Sequence, residues 1–304
     1  MPVSEAEERT YELVSAGRSL VVRANSALFT RWVTIAPHLP GVLPNGVRLC
    51  CGARPVAVRL REGIRVGDAR RLLNAHLHLL HLAHGTLCLH AVALRHPADG
   101  RVVLLLGGHG AGKTLVALAL FRRGWRVMAG DVALVACSTA DVPPRVVGGT
   151  SAFLARTGPT RRWFPDLTPA SGQARVAPRV DLSHMPGLRE SLPVEPGRVT
   201  AAVLVDVDGD RVAGAGTVEA LEAHTAATVW WRASGHLLER LLEDDQMVLR
   251  QLEDSAAAEH RLSRVRALAR EICLYAVWGA PEAIADRIEH LAQVGMPEPV
   301  MEIG

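Results

Sequence analysis

Residues 107–114 read Gly-Gly-His-Gly-Ala-Gly-Lys-Thr, and Lys113 is the only lysine in the 304-residue chain. The other basic positions among its 34 Lys plus Arg are all arginine. The stretch fits G-x-x-x-x-G-K-[ST], with the apolar run RVVLLL (101–106) before it and TLVALALFRR (114–123), ending at Gly124, after it. A run apolar throughout reads as a strand covered on both faces, and the segment after the loop reads as a helix. In that order they form a phosphate cradle. Gly107, Gly110 and Gly112 let backbone N–H groups turn inward around phosphate oxygens, and the helix points its positive end at the same anion. Lys113 is expected to reach the β and γ phosphates and the Thr114 hydroxyl to ligate Mg²⁺. Gly108, His109, Ala111 and Leu115 complete the nucleotide-facing stretch. Such a loop takes a compact point charge on a thin stem where the planar fork of arginine does not fit. That accounts for one lysine in an arginine-rich chain, which a chance glycine-rich turn does not.

Outward from this loop the rhythm is that of an α/β chain. LCLHAVAL (87–94) reads as a strand, and WRVMAGDVALVAC (125–137) as strand, with a bend at Gly130. AAVLVDV (201–207) reads as a strand and VEALEAHT (218–225) as a short helix capped by Thr217. Two helices are expected over 235–252 and 256–271. EICLYAVWG (271–279) reads as a strand, and PEAIADRIEHLAQ (281–293) as a closing helix with Pro281 in its first turn. The first 66 residues look β-rich, with RSLVVRA (18–24), VRLCCG (47–52) and VAVRL (57–61) strand-like. Asp68 is expected to cap a helix running to about His84. The expected organisation is a small N-terminal β-rich domain over 1–75 and a second domain over 76–304. Residues 138–200, rich in Pro and Gly, read as a lid or substrate insert.

Composition narrows the partners. Hydrophobic residues at 49% and charged residues at 21% describe a globular chain, not a disordered one. A net charge of +3 with scattered basic residues gives no nucleic-acid stripe. The acidic N-terminus lacks a secretory pattern and no apolar run is long enough for a bilayer, so no membrane partner is expected. Five cysteines without framework spacing read as reduced thiols in a cytoplasmic protein.

Absent motifs exclude several nucleotide-using classes. Without a second lysine there is no N-K-x-D loop to read guanine as GTPases do. LSGGQ-like transporter and H-R-D or V-A-I-K kinase elements are missing as well. A carboxylate is needed opposite the loop, and two candidates follow apolar strands. Asp131 follows WRVMAG, and Asp206 ends AVLVD; turn chemistry in the run Asp206-Val-Asp208-Gly-Asp210 already explains the latter. Asp131 is therefore preferred. In the usual parallel arrangement it would sit at the nucleotide end of a neighbouring strand.

His76, His78, His81 and His84 lack the ligand number of a zinc site and read as a partly buried helix. Arg156, Arg161 and Arg162 in the insert are candidates to clamp a substrate carboxylate or the transferring phosphoryl group, against the alternative of a solvated loop. Trp163 and Phe164 beside them could stack on a ring. Trp230-Trp231 reads as core packing.

LCLHAVAL, RVVLLL, GGHGAGKT, ALALFRRGWRVMAGD and LYAVWGAPEAIADRIEHL occur in the order found in HPr kinase/phosphorylase-like proteins, which this chain resembles over roughly residues 80–295. That group is related to phosphoenolpyruvate carboxykinase in its phosphate-loop core and includes actinobacterial kinases of natural-product clusters. The resemblance implies an HPr-kinase-like α/β fold. It matches His90 to the family's histidine before the loop, and Gly130-Asp131 to its aspartate pair. Glycine in place of the first aspartate, the family's usual general base, and the lack of E-x-R-G-x-G near VVGGTSAF argue against phosphorylase activity and against HPr protein as substrate. Hexamers in that family make a homo-oligomer a possible partner state.

Together these readings predict a kinase, using ATP or GTP with Mg²⁺, that phosphorylates a hydroxyl of a small molecule. The arginine-heavy composition reads as a GC-rich genome, and with the resemblance points to antibiotic-type biosynthesis. A nucleoside or sugar-like acceptor is expected first and a peptide serine second. The rival is a nucleotide-sensing regulator without turnover.

Overall fold

The computed structural model describes residues 7–50, 52, 54–139, 142–167, 178–207 and 218–294. The chain starts with β1 (Glu8–Ser15), β2 (Arg18–Asn25), the short helices α1 (Ser26–Phe29) and α2 (Trp32–Ile35), β3 (Val42–Leu49) and β4 (Val58–Arg59). These strands form one sheet in the order β3-β1-β2-β4. Alternating inward residues Leu13, Leu20, Val22 and Ala24 pack with Trp32, Ile35 and Leu39, and α3 (Val66–Ala83) closes this core with Ala69, Leu73 and Leu77. Residue 75, placed by sequence at the division between domains, falls inside α3. The helix carries Leu82 onward into the main core. Asp68 is not the cap of α3. It lies in the first turn, where it accepts from Asp244 N–H (2.9 Å) and pairs with Arg71 (2.7 Å).

The larger unit contains β5 (Thr86–Leu89), β6 (Val92–Arg95), β7 (Val102–Leu106), α4 (Lys113–Arg122), β8 (Arg126–Ala129), β9 (Ala133–Ala136) and β10 (Arg145–Gly149). Then come β11 (Leu154–Arg156), α5 (Thr157–Trp163), β12 (Arg179–Asp181), β13 (Gly197–Val207), β14 (Val218–Ala220) and α6 (Ala223–Gly235). The last elements are α7 (Ser255–Glu271), β15 (Leu274–Gly279) and α8 (Pro281–Val294). Among the described residues this gives a mixed α/β fold with a nine-stranded sheet in the path β5-β9-β10-β13-β7-β6-β8, with β15 beside β13 and β14 beside β15. Strands β7, β13 and β15 are parallel, whereas β6 is antiparallel to both β7 and β8.

The sheet is covered on both sides, which is why β7 is apolar at every position. Val103 and Leu105 pack towards α4 and α8; Val102, Leu104 and Leu106 pack towards α6 and α7. Burying each such side chain contributes about 1.5–3 kcal/mol. Helix α4 is enclosed, with Leu115 through Leu120 all buried. Across the opposite layer, Arg261 of α7 is fully buried. It pairs with Glu253 (2.6 Å), donates to Ser234 Oγ (3.0 Å) and stacks on Trp231 (3.5 Å). This network ties the end of α6 to α7.

Several elements differ from the sequence expectation. LCLHAVAL is two strands, split at His90-Ala91, because β5 pairs with β9 while β6 pairs with β7. Residues 218–220 are strand β14, drawn to the edge of β15, and the helix begins only at Ala223. The expected helix over 235–252 is irregular chain ending in a 3₁₀ turn. Trp230 and Trp231 therefore belong to α6, and Trp230 is fully buried in its core. Residues 145–149, part of the expected 138–200 insert, form β10 inside the sheet, where hydrogen bonds to β9 and β13 hold them. Residues 168–177 of the expected insert, with Cys51, Asp208, Asp210 and Thr217, lie outside the described residues. Among the described residues no helix is long and apolar enough to cross a membrane.

The α3 histidines serve packing. His81 shares a 2.7 Å hydrogen bond with Ser15 Oγ, and His78 is fully buried with both ring nitrogens unpartnered among the described residues. Burial, reinforced by Arg261 for His78 and Arg18 for His81, pushes both down to about 4. Both are thus neutral when folded and take up protons on unfolding below the ordinary histidine value. Stability is expected to be complete above pH ~6.5 and to fall towards pH 4, by on the order of 3 kcal/mol for a fully buried histidine. Denaturant midpoints measured across this range should show the slope, and His78→Leu should flatten it.

Candidate active site

The 107–114 loop leaves the end of β7 and enters α4 through Gly112, whose φ of +89° is in the left-handed region. A side chain there would overlap Val207 of the adjoining strand β13. Val207 N–H also donates to Ala111 O (2.9 Å), so the loop is seated against β13. Lys113 is buried, with 8% of its surface exposed, and its Nζ donates to Gly107 O (2.7 Å) and Gly108 O (3.3 Å). Burial pushes its ammonium down to about 8, partly offset by Asp131. Thr114 Oγ1 rests 3.4 Å from Leu154 O.

The loop opens into a cavity of about 450 Å³. Gly108, His109, Gly110, Gly112, Lys113, Thr114 and Leu115 line it on one side; His90, Asp131, His236, Arg70, Arg71, Arg156, Arg179 and Arg240 are among the residues lining the rest. Asp131 is its only carboxylate among the described residues. Arg156 reaches over the loop, its Nη1 3.5 Å from where a Cβ on Gly110 would lie. Arg161 and Arg162 do not line this cavity; Arg162 lies over the Trp163 ring (5.5 Å). Phe164 is buried in the core beneath Arg122 and does not line the cavity, so it is not placed to stack on a ligand ring there.

Asp131 reaches the cavity by a route other than the one expected. Strand β8 does not adjoin β7, because β6 lies between them. The turn after β8 is held by Thr150, which is buried. Asp131 N–H and Val132 N–H both donate to its Oγ1 (2.9 and 3.0 Å), and Gly130 N–H donates to its carbonyl (3.1 Å). Asp206 lies on β13, the strand that does adjoin β7, yet it is exposed and does not line the cavity.

His90, freed at the break between β5 and β6, points Nε2 at Asp131 Oδ1 (3.4 Å). Its ring stacks on His236 at 3.7 Å, and its N–H donates to Ala233 O at the end of α6 (2.9 Å). Arg240 donates to His236 Nε2 (2.7 Å). Burial, followed by the positive fields of His90 and Arg240, pushes His236 down to about 3, so it is uncharged at neutral pH. Enclosure opposes the charge on Asp131, but its hydrogen bond to His90 and the charges of His90 and Lys113 outweigh that. They hold the carboxyl well below the usual range, and it is 62% exposed to the cavity. The pull of His236 on it requires a proton that ring carries only in strong acid.

Gly130, where the resembling family carries aspartate, has no room for any side chain. A Cβ would collide with Ala152 O and lie 3.0 Å from its carbonyl carbon and 3.2 Å from Phe153 Cα. Installing aspartate there would therefore displace the 152–153 backbone instead of adding a base. Gly130→Ala is expected to cost roughly 1–3 kcal/mol, read as a lower denaturant midpoint; unchanged stability would show that this contact gives way easily.

Arg70, Thr150, Arg179, His236 and Arg240 carry no motif. Only Arg70 stands out, as half of a pair at the start of a helix. Among the described residues no three His, Cys, Asp or Glu side chains gather to hold a metal. Mg²⁺ needs no such group, because one or two protein oxygens with substrate phosphates suffice. The Thr114 hydroxyl and the ionised Asp131 fit that donor set. Searches against family models and curated proteins return no match.

Proposed function

We propose that this protein is a kinase with an HPr-kinase-like phosphate-loop core, transferring the γ-phosphoryl group of ATP or GTP to a hydroxyl of a small molecule. One observation carries the reading: the sole lysine of the chain and Asp131, the sole carboxylate lining the cavity among the described residues, face one space built on a glycine loop at a helix N-terminus. A volume near 450 Å³ is in the range of small-ligand sites.

In this reading the N–H groups of 107–114 hold the phosphates and Lys113 swings from the Gly107 and Gly108 carbonyls onto the β and γ oxygens. Thr114 and Asp131 hold Mg²⁺, which neutralises charge on the transferring group. Arg156 covers the phosphates from β11. Transfer through a loose transition state depends mainly on position and charge. A low-pKa Asp131 suits it as a charge and metal ligand, and His90 keeps its carboxylate aimed. An antibiotic-type pathway is the proposed setting, a peptide serine is the second acceptor class, and a homo-oligomer remains part of the proposal. The collision awaiting any side chain at Gly130 favours the second reading, a nucleotide sensor without turnover.

The lone lysine allows a direct test. Amine acylation followed by mass spectrometry should modify Lys113, whose ammonium titrates near pH 8, and Mg·ATP or Mg·GTP should protect it. Absence of protection by either nucleotide would remove the nucleotide reading. Where protection is seen, a donor and acceptor screen by mass spectrometry separates kinase from sensor: a mass gain of one phosphoryl group supports the first, none across the screen the second.

A further inference from the structure

The cavity holds more positive charge than the loop and Asp131 account for. Arg70 of α3, Arg179 of β12 and Arg240 beyond α6 come from three distant parts of the chain and converge on it. Among the described residues none of them makes an ion pair with a carboxylate. Arg71, by contrast, is satisfied by Asp68 and Glu243. Arg70 is half-buried. Burial first, then Arg71, Arg240 and Arg179, press its guanidinium below its ordinary value, and Asp131 alone among its strongest neighbours opposes them. Arg240 spends one donor on the neutral His236. Like charges gathered at a half-buried site raise the energy of the empty protein, and an oxyanion with several acceptor oxygens relieves it.

Arg156 lies over the 107–114 loop, and in the kinase reading it covers the nucleotide phosphates. Arg70 belongs elsewhere, with Asp131 and His38 as its neighbours. We infer that the acceptor is itself an anion, a small phosphorylated or carboxylated alcohol whose oxyanion sits among Arg70, Arg179 and Arg240 while its hydroxyl faces Asp131. This rests on the kinase reading and replaces a neutral nucleoside or sugar by its anionic counterpart. In the transfer, the acceptor oxygen bonds to Pγ and the bond from Pγ to the bridging oxygen breaks. The nucleoside diphosphate leaves with the electron pair, and the hydroxyl proton passes to solvent.

Inorganic phosphate is the probe. The protein, saturated with Mg²⁺ and a β,γ-imido nucleotide, is titrated with phosphate by calorimetry. Saturable binding is expected, weakened at least about tenfold in Arg70→Gln and in Arg179→Gln, with nucleotide affinity kept within about twofold. The second variant, at an exposed position, guards against loss of folding in the first. The inference falls if phosphate does not bind beside the nucleotide, if both variants bind it as the parent does, or if nucleotide affinity drops in parallel. Should the imido nucleotide itself not bind, the kinase reading fails separately. Phosphate titration of the free protein then still decides the anion site: dependence on Arg70 and Arg179 sustains it, dependence on Lys113 alone overturns it.

Discussion

Lys113→Ala is expected to lower turnover by about 10³-fold or more, without loss of stability. In the nucleotide-free protein Lys113 is a desolvated cation that donates to two loop carbonyls, with the charge of Asp131 only partly offsetting its burial, so its removal should leave the melting temperature unchanged or raise it. What should vanish is the rise in melting temperature on adding Mg·nucleotide. Lys113→Arg keeps the charge but should be nearly as impaired. The stem is buried beside a loop tightly packed at Gly107 and at Gly112 against Val207, and a planar fork is expected to fit poorly at the position of Nζ. The pH dependence distinguishes charge from shape. The ammonium titrates near pH 8 in the free protein, and phosphates favour its charged form. Nucleotide affinity should therefore weaken as pH rises above 8 in the parent and stay flat in the arginine variant. Near-normal turnover in Lys113→Arg would refute the account of why the chain keeps one lysine.

Asp131→Asn is expected to reduce turnover by about 10²-fold or more, while Asp206→Asn stays within a few-fold of the parent. Asparagine preserves the shape of Asp131 and its backbone bonds to Thr150, but removes the one negative charge that lines the cavity among the described residues. A stability change should be small, since the carboxylate is largely exposed to the cavity. Asp206 tests the contrary placement, because its strand adjoins β7 as that of a metal-binding aspartate commonly does. Both variants should be assayed at saturating Mg²⁺ with an acceptor found by the screen. An inactive Asp206 variant beside an active Asp131 variant would move the metal site to β13 and undo the proposed correspondence to HPr-kinase-like proteins.

The sequence by itself determined the strand, loop and helix over 102–122. An unbroken apolar run, glycines at set spacing and an apolar helix are local signals, each read within a few residues. It likewise determined α7, capped by Asp254, and α8, opened by Pro281. Strands β2, β13 and β15 were legible in the same way, whereas other features were decided by tertiary structure alone. Residues 218–220 became a strand because an edge of β15 was open to them, and Gly148-Gly149 became sheet because β9 and β13 flank them. Asp131 was legible as a residue but not its route, since β6 intervenes between its strand and β7. His236, Arg240 and Thr150 left no local trace, and Arg70 left only an arginine pair near the start of a helix. A stacked His90–His236 pair, or three arginines on one cavity, exists only once segments far apart in sequence are folded together, and neither periodicity nor turn chemistry extends that far.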